Sequence, residues 1–304
     1  MDLSLKPQAI NLKPDLLARV RQNFDLSKTN WLRVGGQAQY FFKAENAQDL
    51  ADFLKELPKE IPVTVLGVGS NIIVRDGGID GVVVKLGRGF TECSVQDSDF
   101  KVGAGMLDIN VSLYAAENEI AGLEFLSGIP GTIGGAVRMN AGAYGCDISQ
   151  VLVAAEIVER DGTIRNLSNA EMGFSYRNSK LPEGAIVTAA VLRGKVGDRD
   201  EIVERIEEIG RKREETQPIR TRTGGSTFKN PDGHKAWELI DKAGCRGLTI
   251  GGAQMSELHC NFMINTGNAT AADLENLGEE VIKRVLEKTG IRLEWEIKRI
   301  GKRD

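Results

Sequence analysis

The chain is poor in the residues that build metal sites and disulfide frameworks. It has only two histidines, His234 and His259, which excludes a histidine-rich metal site. Its four cysteines, Cys93, Cys146, Cys245 and Cys260, show no C-x-x-C spacing and read as free thiols. No metal is expected. No uninterrupted apolar run of about 18 residues occurs, so no membrane-spanning helix is expected. The opening MDLSLKPQAINLKPD has no apolar core of signal-peptide length, and the chain is expected to stay in the cytoplasm. Long blocks of one charge are missing too. With 27% charged residues and a net charge of -4, nothing points to nucleic acid or an anionic membrane as a partner.

Glycine, by contrast, is abundant, at 35 of 304 residues. The average share is about 7%. Clustered glycines mark places where backbone must approach a ligand closely. The length fits about two domains, and a 41% hydrophobic share is enough for a sizeable core.

Periodicity places helices at 14–24, 47–57 and 107–118. On the second, Leu50, Phe53, Leu54 and Leu57 share one face. Short strands are expected at 63–66, 81–86 and 101–102, then at 151–160, 162–167 and 185–192. Asp161-Gly162 is a hairpin signal between two of them. The first two thirds thus read as mixed α/β. Near residue 197 the character changes. The segment 200–213 carries Ile202, Val203, Ile206 and Ile209 on one stripe, a charged amphipathic helix ending at Gln217-Pro218. A domain boundary is expected near 200–215. Beyond it come a helix at 236–242, a strand at 262–265, a helix at 271–289 capped by Thr270 and Asp273, and a strand at 293–300. No tandem repeat or low-complexity tract is present.

Two glycine-rich loops stand out. The first, Gly67-Val-Gly69-Ser70-Asn71, directly follows a strand. It begins like a dinucleotide fingerprint, but Ile72 stands where the third glycine belongs, and no βαβ unit with a later acidic residue accompanies it. Its backbone N–H groups remain suited to a pyrophosphate as an anion nest. The second loop runs from Ser127 to Gly145 and holds Gly128, Gly131, Gly134, Gly135, Gly142 and Gly145, stiffened by Pro130. A mere linker would favour polar residues over Ile129, Ile133, Val137 and Met139. This loop suits a backbone wrapped around a flat or phosphorylated ligand.

GVGSN and SGIPGTIGGAVRMNAGAYG together resemble the FAD-binding core of vanillyl-alcohol-oxidase-type, or PCMH-type, flavoproteins. Four further stretches follow in the order seen in the UDP-N-acetylenolpyruvoylglucosamine reductase family. They are Phe174-Ser-Tyr-Arg177-Asn-Ser179, Gly225-Ser226-Thr-Phe-Lys-Asn-Pro231, His259-Cys-Asn-Phe262 and Leu293-Glu-Trp-Glu296-Ile297. The resemblance runs from Thr29-Asn-Trp-Leu-Arg-Val-Gly-Gly36 to Gly301. Asn178, Cys260 and Gln37 depart from the family's usual aspartate, alanine and proline. The chain passes from Arg177 straight through Asn-Ser-Lys-Leu-Pro into a strand. It lacks the insertion that gives the longer subtype a substrate-facing tyrosine, and so resembles the shorter subtype.

The resemblance implies an α+β fold. A PCMH-type FAD-binding domain of two α/β subdomains would span 1–199, split near 80, and a C-terminal α+β substrate-binding domain would span 200–304. It implies noncovalent FAD, NADPH as hydride donor, and reduction of UDP-N-acetylglucosamine enolpyruvate to UDP-N-acetylmuramate by a cytoplasmic monomer working on small molecules. The matching flavin positions are Gly67, Gly69, Ser70, Asn71, Gly128, Gly131, Thr132, Gly134, Gly135 and Ala136. Ser226 matches the proton donor, Arg177 the arginine that polarises the substrate carboxylate, and Glu296 the catalytic glutamate. Glu294 falls on the same side of a strand as Glu296, but the family's acid precedes an aliphatic residue shortly before the Ile-Gly pair, which selects Glu296. Lys229 and Asn230 match substrate-binding positions, Arg222 is a candidate of the same kind with a solvated surface charge as its alternative, and His259 reads as structural. Two rivals stand beside this reading: another FAD-dependent oxidase or dehydrogenase of the same fold, and a non-catalytic flavin- or nucleotide-binding regulator.

Overall fold

The computed structural model describes Ile10 and residues 12–304. Three sheets carry the chain. The first has the order Arg21–Asp25, Gln37–Ala44, Ile79–Leu86, Val63–Leu66, with its last three strands parallel. Tyr40, Phe41 and Phe42 are all buried, because both faces of this sheet are covered. Phe42 stacks on Phe53 of the helix Ala47–Glu56 at 3.8 Å, while Phe41 packs on the other face with Leu66 and Val83. Phe41, buried on the face opposite Phe42, interrupts an otherwise alternating pattern along Gln37–Ala44 and masks its strand signal.

The second sheet is antiparallel, in the order Ile164–Ser168, Leu152–Val158, Ile186–Arg193, Asp99–Gly103, Cys93–Gln96. The hairpin expected at Asp161-Gly162 joins its first two strands, with Gly162 at φ +84°. The helices Asp108–Glu117 and Ile133–Met139 contribute Val111, Ala115, Ile133 and Val137 to its core. The third sheet has the order Arg222–Ser226, Phe262–Asn265, Ala253–Met255, Thr249–Ile250. It is covered by the helices Ala236–Lys242 and Ala271–Thr289. The latter has the expected capping box between Thr270 and Asp273.

The chain's end returns to its beginning. Lys298–Ile300 pairs in parallel with Ile72–Val74, just after the first glycine loop. Asp76 accepts the N–H groups of Ala271 and Ala272 at 3.0 and 2.9 Å, and Arg75, Arg299 and Arg303 all reach the buried Glu275. The third sheet's long helix is thereby fixed against the turn that follows Ile72–Val74.

Four expectations change. The helix at 14–24 stops at Leu17, and Arg21–Asp25 forms an edge strand whose Phe24 stacks on Phe41 at 3.9 Å; tertiary pairing overrides the local pattern. The strand at 293–300 is regular only over Lys298–Ile300. Before that it bonds to Thr227 and Lys229, then switches partner to Asn71, and the change breaks the ladder. The first sheet extends through Leu86, so we place the subdomain split at 87–92 rather than near 80. The helix Arg199–Thr216 packs Ile202 and Ile206 on Ala116 of the second-sheet region. We therefore place the start of the C-terminal domain after it rather than at 200.

Candidate active site

The strand Val63–Leu66 delivers the first glycine loop against the second. A Cβ on Gly67 would stand 2.8 Å from Thr132 Oγ1, and one on Gly131 would stand 3.7 Å from Ser70 Oγ. Gly69 turns at φ +69°, with the main chain of Asn30 in the space a side chain would need. Gly128 lies under the Tyr144 ring, 2.7 Å from its Cβ position to Cε2. Gly134 fits against Ala104 and Ala136 is buried in the second-sheet core, so both serve packing. Gly135 is exposed, its nearest Cβ neighbour 4.0 Å away, and offers open backbone. Glycine backbone drawn this close to the small hydroxyl side chains of the facing loop fits the diphosphate of a dinucleotide cofactor. Under the junction lies a group that sequence reasoning missed: the wholly buried Asp108, whose carboxyl oxygens have no partner.

The catalytic candidates come together from three distant segments. Arg177 sits at φ +55° in a tight turn where Ser175 and Asn178 exchange backbone hydrogen bonds. A non-glycine residue in this region is rare, and such strain concentrates at functional sites. Its Nε donates to Glu296 Oε1 at 2.9 Å and its Nη2 donates to the Gly142 carbonyl of the second loop at 3.0 Å. Both side chains of the ion pair are largely buried, at 21% and 16% exposure. Burial pushes the proton affinity of Glu296 above the ordinary carboxylate range, with Arg177 opposing it. Ser226 ends the strand Arg222–Ser226, where Gly225 at φ +76° and a register shift re-aim the chain. The next residue, Thr227, accepts the Glu296 N–H at 2.8 Å. The first loop joins this group through Asn71, whose side chain donates to Glu296 O at 3.4 Å and whose carbonyl accepts the Lys298 N–H at 3.0 Å.

The remaining candidates divide. Lys229 is half-buried, 3.2 Å from the exposed Glu294, so that glutamate and Glu296 have different partners. Asn230 accepts the Ala236 N–H at 2.9 Å and so supports the start of a helix. Arg222 is exposed and bonds the Gly267 carbonyl at 3.3 Å. His259 packs edge-on against Phe262 at 4.7 Å and accepts the Asn261 N–H, and burial lowers its proton affinity. All four cysteines are free. Arg213 was also missed. Half-buried, it donates to the Ser127 carbonyl at 3.2 Å, and its only sequence signal is a basic residue in a charged helix.

The first two sheets and their loops define a flavoprotein. The family described as FAD binding domain matches residues 38–168. The family described as UDP-N-acetylenolpyruvoylglucosamine reductase, C-terminal domain, matches residues 217–300. The UDP-N-acetylenolpyruvoylglucosamine reductase of Gluconobacter oxydans is 57% identical over 95% of this chain and 94% of its own length. That of Azorhizobium caulinodans is 54% identical over 98% and 96%. The crystal structure of UDP-N-acetylenolpyruvylglucosamine reductase (MurB) from Thermus caldophilus superposes with a TM-score of 0.81 at 37% identity, over 93% of this chain and 99% of that one. The chain belongs to the UDP-N-acetylenolpyruvoylglucosamine reductase family. This membership leaves no place for a different oxidase or a non-catalytic regulator.

Proposed function

We propose that this chain reduces UDP-N-acetylglucosamine enolpyruvate to UDP-N-acetylmuramate, a step in peptidoglycan precursor synthesis, and that Arg177, Ser226 and Glu296 carry the reaction. The observation that carries the assignment of residues is the buried Arg177–Glu296 pair, tied through Thr227 to the end of the Ser226 strand and through Asn71 to the first glycine loop. Bound FAD, reduced by NADPH, supplies hydride to the terminal carbon of the enolpyruvyl group.

The chain's own task is to handle the charge and the proton that follow. Negative charge builds on the carbon next to the substrate carboxylate and spreads into that carboxylate. A fixed cation there stabilises the transition state more than the ground state. Arg177 is held by Glu296 at Nε and by Gly142 at Nη2, which leaves Nη1 for a carboxylate oxygen. Ser226 gives its hydroxyl proton to the basic carbon. Serine is a poor acid in water and acts only when held within reach of so strong a base. Glu296 keeps the guanidinium aimed and stabilises the enol form. Lys229 is the substrate-side cation of this reading. In this reading Asn230 and Arg222, which bond Ala236 and Gly267, support the site rather than contact the sugar. The reading places a monomer in the cytoplasm. Among the described residues no helix is long and apolar enough to cross a membrane.

The test is a colour change. Purified protein should be yellow, release FAD on acid precipitation, and bleach with NADPH without oxygen. Anaerobic UDP-N-acetylglucosamine enolpyruvate should restore the colour. Recolouring by oxygen but not by the sugar would overturn the assignment.

A further inference from the structure

Asp108 opens the helix Asp108–Glu117, and its side chain is wholly buried. Neither Oδ1 nor Oδ2 has a hydrogen-bond partner. Buried polar groups in native proteins are almost always satisfied, and an exception calls for a reason. The location of this one is specific. Oδ2 lies 2.9 Å from where a Cβ of Gly131 would stand, and Ser70 Oγ lies 3.7 Å from the same point. The main chain reinforces the junction. The Asp108 N–H donates to the Gly131 carbonyl at 3.2 Å, and Leu107 pairs with Thr132. The two glycine loops therefore meet over this carboxyl.

The residue weakens the fold. Burial holds its proton affinity well above the ordinary carboxylate range. As pH rises past the ordinary value, the unfolded chain loses the proton while the folded chain keeps it, so stability falls. A helix N-terminus favours negative charge, but no N–H reaches these oxygens, and burial decides the balance. Several charged groups on the surrounding elements are engaged elsewhere. Glu124 accepts the Gly122 N–H, Arg213 donates to Ser127, and Arg205 and Lys212 pair with Glu208. Arg138 lies exposed in the last turn of the helix Ile133–Met139, and residues 67–71 carry no charge. A carboxyl that burial drives toward its protonated form thus lies beneath loops that are to hold an anionic diphosphate.

We propose that Asp108 is a positioning residue of the FAD site, acting through Gly131 and Ser70 to set how closely the two loops meet around the cofactor's diphosphate. The proposal rests on the reading of these loops as the FAD cradle. The buried carboxyl acts through the loops rather than by touching the cofactor. Uncharged, it lies flush against the loop without repelling an anion. Ionised, it would oppose the diphosphate across a short, dry path.

The test is reconstitution of apoprotein with FAD, followed by flavin fluorescence, for wild type, Asp108→Asn, Asp108→Leu and Gly131→Val between about pH 6 and 9. Asparagine keeps the shape and cannot ionise. Asp108→Asn should bind FAD within about threefold of wild type at the low end. Wild-type affinity should fall as pH rises, and that of Asp108→Asn should not. Asp108→Leu should weaken FAD by about tenfold or more at every pH, with a thermal midpoint at or above wild type. A purely structural misfit would raise the midpoint and leave FAD binding unchanged. Wild-type affinity in Asp108→Leu, or a wild-type pH profile in Asp108→Asn, would overturn the proposal. If only Gly131→Val loses FAD, the loops remain the cradle and Asp108 has no part in it. If Gly131→Val also binds normally, the cradle itself is misplaced.

Discussion

The cofactor side and the substrate side of this protein are built from different materials. On the cofactor side the work falls to backbone. Gly67, Gly128 and Gly131 let main chain approach the side chains of Thr132, Tyr144, Asp108 and Ser70, and Gly69 lies against the main chain of Thr29 and Asn30. On the substrate side the proposed work falls to three side chains, and the ion pair at its centre joins residues 119 apart in sequence. Backbone sites tolerate exchange of neighbouring side chains but not an added Cβ. Side-chain sites tolerate a changed loop but not a changed functional group. The two sides should therefore fail in separate ways when altered.

The largest separation is expected from Arg177→Met. The rate of sugar reduction should fall about 10²–10³-fold, as when one transition-state donor is removed. FAD content and the rate of flavin bleaching by NADPH should stay near wild type. A loss of FAD would show that the two sides are not independent. Gly69→Ala is the mirror experiment. A Cβ there meets Asn30 at a left-handed φ, so the change should cost about 1–3 kcal/mol and release FAD, measured as flavin lost on gel filtration. Retained FAD with full stability would remove the backbone argument for the first loop.

Asn230→Ala sharpens the border between substrate binding and support. Losing the bond to Ala236 should lower stability by about 1 kcal/mol in urea melts and leave KM for the sugar unchanged. A raised KM with unaltered stability would move Asn230 into the site. His259 should give the smallest effect. Its folded proton affinity is lowered, so its contribution to stability is lost as pH falls from its ordinary value, near 6.5, toward the lowered one. His259→Gln should flatten that acid limb without altering the reaction at neutral pH.

Local signals were legible in the sequence. The capping box at Thr270 and Asp273 and the bounds of Ala236–Lys242, Phe262–Asn265 and Ala271–Thr289 agree with the structure, because cap chemistry and periodicity act over a few residues. The strand Gln37–Ala44 was not legible, since the buried Phe41 interrupts its alternation. Nor was the partner switch at 293–297, which depends on segments far away in the chain. In the candidate site, glycine clustering disclosed the loops, and family resemblance singled out Arg177, Ser226 and Glu296. Their meeting, the Asn230 cap and the unpartnered Asp108 carboxyl arise only from tertiary structure. Parity along a strand left Glu294 beside Glu296 as a rival, and the structure gives them separate partners, Lys229 and Arg177.

The central claim is that one set of residues holds the flavin and another completes the reduction. Anaerobic stopped-flow on Ser226→Ala holoenzyme tests it most directly. Flavin bleaching by NADPH should proceed near the wild-type rate, and recolouring by UDP-N-acetylglucosamine enolpyruvate should slow by about 10²–10⁴-fold. Recolouring at the wild-type rate would contradict the account.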